Sequence, residues 1–73
     1  MAGLSALTAE RDEVIALLEA AQARLDRVEP AELRKPLRWC FAAKLELLRA
    51  HRSILGLPVG YAIDMAKAIV DPS

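Results

Sequence analysis

The sequence predicts an all-α fold: a small three-helix domain in which an antiparallel helical hairpin, about 8–28 and 36–55, carries a third helix, about 58–70, packed across it. Residues 1–73 are read as a single helical domain. Three observations lead there. Of the 73 residues 55% are hydrophobic yet only 4% are aromatic, so much of the apolar content is Ala and Leu, the best helix formers. Apolar residues recur three and four apart over long segments, the period of one helix face. Helix-breaking Pro30, Pro36, Gly56, Pro58 and Pro72 stand at the joints between those segments.

The first helix is expected to begin at Thr8, an N-cap residue type followed by Glu10, Asp12 and Glu13, whose charges favour a helix N-terminus. Leu4, Leu7, Arg11, Val14, Leu18, Ala21, Leu25 and Val28 form a heptad stripe interrupted only by Arg11, whose aliphatic stem can lie along the seam. Ile15 and Leu17 widen that face. Ala9, Ala16 and Ala23 on the other side read as helix-forming surface residues.

Glu29 and Pro30 close this helix. The segment "PAELRK" allows a turn or two before Pro36, and because the residue before a proline avoids helical geometry, a corner is expected at Lys35 with Pro36 opening the second helix. Gly56 is its expected stop, with Arg49, His51 and Arg52 favourable near a helix C-terminus. At about 100° per residue from Leu37, the residues Leu37, Phe41, Leu45, Leu48 and Leu55 fall within roughly 0–80°, a core face of ordinary width. Trp39, Cys40, Ala43, Leu47, Ala50 and Ile54 fall between roughly 200° and 300°, a second apolar face. Arg38, Glu46, Arg49 and Ser53 point to water.

The third segment, "LPVGYAIDMAKAIVD", confines its charges to Asp64, Lys67 and Asp71 in one narrow stripe. A helix apolar nearly all round is a buried one, and in a three-helix monomer this one is half uncovered. Below about 70 to 80 residues a single core is marginal, and with one cysteine no intrachain disulfide is available, so oligomerisation or a partner is the remaining stabiliser.

Net charge is zero but unevenly distributed: residues 1–30 carry −3, residues 31–52 carry +4 and residues 53–73 carry −1. Such a dipolar chain suits an acidic helix packed against a basic one. No apolar run approaches the 18 or so residues of a membrane span, and "MAGLSALTAERDEV" has neither a basic leader nor a hydrophobic block. A cytoplasmic location with Cys40 as a thiol, and no membrane partner, is the expectation.

No catalytic, cofactor or metal site is expected. Cys40 and His51, the one nucleophile-and-base pair, lie about 16 Å apart on one straight helix. The glycines at 3, 56 and 60 are too scattered for a phosphate loop, and no His/Cys cluster is present. A helix-turn-helix over "RSILGLPVGYAIDMAKAI" is a poor match, because Arg52 occupies the position four before the turn glycine, where a small residue is wanted, and the second helix lacks Arg, Asn or Gln for base edges.

The expectation is therefore a non-enzymatic protein–protein interaction module of the adaptor, inhibitor or co-chaperone kind, a regulator most simply working as a homodimer. Its expected contact residues are Trp39, Ala43, Leu47 and Ile54, the basic rim Lys35, Arg38 and Arg49, and Tyr61 and Met65 of the third helix. The alternative is a small nucleic-acid-binding regulator using the basic 34–52 segment, chiefly Arg34, Lys35, Arg38 and Arg49, on phosphates.

Overall fold

The computed structural model describes residues 3–71, with side-chain environments from residue 9 onward. It is all-α, without strands among the described residues: α1 is Gly3–Ala23, α2 is Arg34–Ala50 and α3 is Gly60–Val70. None of these helices is long and apolar enough to cross a membrane.

The apolar stripe of α1 does what its spacing predicts. Val14, Leu18 and Ala21 are buried, and Leu25 is completely so. The stripe continues after α1 ends at Ala23 because Leu25–Arg27 form a 3-10 turn, held by Arg27 N–H to Arg24 C=O at 3.0 Å and Val28 N–H to Leu25 C=O at 3.0 Å. The expected helix to residue 28 is thus an α-helix with a tighter last turn. Its start differs more: α1 already runs from Gly3, upstream of Thr8. The side chains of Leu4, Leu7 and Thr8 lie outside the described residues.

Between the helices the chain turns through a cis Glu29–Pro30 bond and a second 3-10 turn, Ala31–Leu33, which runs directly into α2. Lys35 is helical, so the corner lies earlier than expected. Pro36 stands third in α2, where its missing N–H would have had no intrahelical partner in any case. Arg34 secures the corner: its Nε donates to the Val28 carbonyl at 2.8 Å and its Nη2 meets Glu29 Oε1 at 3.3 Å.

Leu37, Phe41, Leu45 and Leu48 are the buried stripe of α2. The helix stops at Ala50, before the expected residue 55, because its last carbonyls find other donors. His51, extended at φ −124° and ψ 156°, donates through Nδ1 to Leu47 C=O at 3.0 Å, and Arg11 Nη1 reaches over from α1 to the His51 carbonyl at 2.6 Å. Arg11 therefore lies along the seam as its stem allows, and its head caps the neighbouring helix. Leu55, expected on the core face, is 76% exposed because the helix that would have carried it inward has already ended.

Gly56 serves a different turn. Leu57 N–H donates to Ile54 C=O at 3.0 Å across Leu55 and Gly56, and Gly56 has φ +78°, the third position of a type II turn. A Cβ at residue 56 would meet nothing within 4 Å, so Gly56→Ala carries a backbone penalty alone, about 1 kcal/mol. Thermal melts followed by circular dichroism should show a loss of about 4–8 °C for a domain of this size. An unchanged melting point would mean the 51–59 connection contributes nothing to cooperative folding.

Helix pairing follows from the long-range bonds. Arg11 to His51, Glu19 to Arg49 at 2.6 Å and Gln22 to the Arg38 carbonyl at 3.5 Å link rising positions of α1 to falling positions of α2, so these helices are antiparallel. Arg24 Nη1 donates to the Val70 carbonyl at 2.7 Å, placing the end of α3 beside the end of α1 with a cation at its C-terminus. From its start near 60, α3 turns Ala62 and Ala66 into the core behind buried Val59, and such small residues let it approach α1 closely. It lies chiefly along α1 and only brushes α2. The core contains no buried polar or charged side chain among the described residues.

Candidate functional site

The outer face of α2 follows from its periodicity. With the core stripe centred near 40°, the residues between about 100° and 260° face away from α1. Lys35, Arg38, Trp39, Ala42, Ala43, Glu46, Arg49 and Ala50 are all exposed. Trp39 is the largest of them and 66% exposed, with the Lys35 Nζ 5.2 Å from its ring centroid. That is cation–π distance, and at such an exposed position it contributes about 0.5–1 kcal/mol and holds the indole against one side of the helix. The neighbouring alanines give the face low relief.

The second apolar arc of α2 is divided by the tertiary structure. Trp39, Ala43 and Ala50, at about 200–240°, are exposed, whereas Cys40 and Leu47, at about 280–300°, are half-buried against the core. Ile54 lies beyond the helix and also packs onto the core. Leu47 and Ile54 are therefore not on the Trp39 surface with which their spacing groups them. Tyr61 is 74% exposed at the start of α3, and half-buried Met65 lies one turn further on, facing the gap toward α2.

The basic segment is largely engaged within the chain. Arg34 is bound to Val28 and Glu29, Lys35 sits over Trp39, and Arg49 Nη2 meets Glu19 Oε2 at 2.6 Å. Only Arg38 of the four bases proposed for phosphate contact has no side-chain partner among the described residues. The connection 51–59 is also much longer than the turn of about three or four residues in a helix-turn-helix.

Cys40 is a half-buried thiol in the middle of α2, and His51 is held at its C-terminal cap, bonded to a carbonyl. No group of three or more His, Cys, Asp or Glu residues is arranged to hold a metal ion among the described residues.

One feature has no local signal in the sequence. Because α3 leans on α1 and leaves α2, a groove of about 540 Å³ opens at the corner end, between Leu33 and Leu37 of the α2 side and Met65, Ala68 and Ile69 of α3. Arg24, Arg27, Val28 and Glu29 close its end. Only the distance between α2 and α3 creates it, and no spacing rule reports that distance. No protein-family model, no curated protein and no solved structure matches this chain.

Proposed function

We propose that this chain is a non-enzymatic protein–protein interaction module, of the adaptor, inhibitor or co-chaperone kind, that self-associates as a homodimer through the outer face of α2 and works in the cytoplasm, where Cys40 remains a thiol. The observation that carries the reading is Trp39, an indole 66% exposed on a low-relief helix face with Lys35 beside it. A large aromatic left in water on such a face is an interface anchor, because burying it against a partner removes apolar area that folding has left uncovered.

The area available supports this. A compact protein of 8.0 kDa exposes roughly 4,450 Å². This chain exposes 5001 Å², about a tenth more, in an elongated shape of 44 × 24 × 17 Å. One partner in a standard interface contributes about 800 Å², so pairing along the α2 face removes more than the excess.

The face is also self-complementary. A two-fold contact needs a surface that matches itself. Two α2 helices packed antiparallel about an axis at Ala42 set Arg38 of each copy opposite Glu46 of the other and bring both Trp39 side chains into the contact. Arg38 has no side-chain partner within the described chain.

Sedimentation velocity at micromolar concentration tests the reading. Arg38→Glu is expected to weaken association about tenfold through like-charge contact, and Arg38→Glu combined with Glu46→Arg to restore it. A chain that is monomeric throughout that range, or a double variant no better than Arg38→Glu, overturns the dimer. A salt-dependent shift of duplex DNA or RNA, lost when Arg34, Lys35 and Arg38 become Ala, would favour the nucleic-acid alternative instead.

A further inference from the structure

We propose that the groove between the corner and α3 is a binding site for a small amphipathic carboxylate, with its apolar body between Leu37, Met65 and Ile69 and its carboxylate on Arg27. The site is separate from the Trp39 face, so the proposal goes beyond the interface reading and does not rest on it.

Size selects the class of ligand. At about 540 Å³ the groove is within the ~300–1,000 Å³ of small-molecule sites. The apolar lining runs from Leu33 to Leu37 on one side and from Met65 to Ile69 on the other, about 6 Å or one helical turn each. A helix-in-groove contact needs apolar anchors over two turns or more.

Charge selects the head group. Two guanidiniums and one carboxylate line the end of the groove, a net +1 from Arg24, Arg27 and Glu29. Glu29 is turned to Arg34 at 3.3 Å, and Arg24 is tied by one nitrogen to the Val70 carbonyl. The Arg27 side chain makes no hydrogen bond or ion pair with the described residues, although it lines a groove whose remaining wall is mostly apolar. One free planar donor fork at the end of an apolar channel matches one carboxylate. A phosphate carries up to twice the charge and calls for a denser set of donors than this end supplies.

Decanoate and decanol are the probes, titrated into the full chain by calorimetry with the Met65 methyl followed by NMR. Decanoate is expected to bind saturably, to shift the Met65 methyl and to bind more tightly than decanol. Arg27→Gln is expected to weaken decanoate about tenfold while leaving decanol unchanged, the effect of losing one charge-assisted bond. Ala68→Trp, an exposed position on the groove wall, is expected to block both, and Trp39→Ala to bind decanoate like the parent chain even if it no longer dimerises. Absence of saturable binding at millimolar decanoate, equal affinity for acid and alcohol, an unmoved Met65 methyl, or indifference to Arg27→Gln each overturns the proposal. A groove signal that appears only as protein concentration rises, without decanoate, would mean that a second copy fills it, and this too overturns the proposal.

Discussion

Phe41→Ala is expected to remove most of the stability of this protein. Phe41 is fully buried on the centre line of the α2 core stripe, and Leu18, Leu25 and Leu48 are as completely enclosed. Truncating a buried Phe costs about 3–5 kcal/mol, from lost transfer energy and the cavity left behind. A chain of 73 residues has roughly 4–11 kcal/mol in total. Because no buried polar or charged side chain is present among the described residues, apolar burial is the main term holding the three helices together. In urea, with a slope near 1 kcal/mol per M, the unfolding midpoint should fall by about 3 M or the transition disappear. Leu55→Ala, at a position 76% exposed, should move it by less than about 0.5 M. A shift for Phe41→Ala no larger than that for Leu55→Ala would mean the core is built elsewhere.

Trp39→Ala should separate association from folding. Interface anchors of this kind cost about 2 kcal/mol or more when truncated, roughly a thirtyfold rise in the dimer dissociation constant. The same change at a surface position alters monomer stability by no more than about 0.5 kcal/mol. Sedimentation equilibrium and urea melts at low concentration, where the monomer dominates, read the two quantities independently. Full helical signal with lost self-association is the expected result. Parallel loss of both would assign Trp39 to the fold, and an unchanged dissociation constant would remove the α2 face from the dimer.

The places where sequence and structure part company have one physical character. Val14, Leu18, Ala21 and Leu25 are apolar at helical spacing and buried, as are Leu37, Phe41, Leu45 and Leu48. Gly56 is a strong local stop signal, yet α2 ends at Ala50, where its terminal carbonyls are met by the ring of His51 and by Arg11, a residue 40 positions away. Lys35 precedes a proline and is helical all the same. The 3-10 turn before it and the Arg34 bonds to Val28 and Glu29 hold the corner one turn earlier. Trp39 and Leu47 share an arc by spacing, but one faces water and the other the core, because a helical wheel carries no information about where α1 and α3 lie.

The all-α class, the pairing of an acidic first helix with a basic second one, and the two stripes that make the core are legible in the chain of residues. These follow from periodicity and charge along the chain, where a residue's partners are its neighbours at three and four. Where the helices stop, which half of the second apolar arc stays in water, and the opening of a groove lined by Arg27 between α2 and α3 are set by the packed arrangement. Each of those depends on contacts between residues far apart in the chain, and on the small side chains Ala62 and Ala66 that draw α3 onto α1 and away from α2.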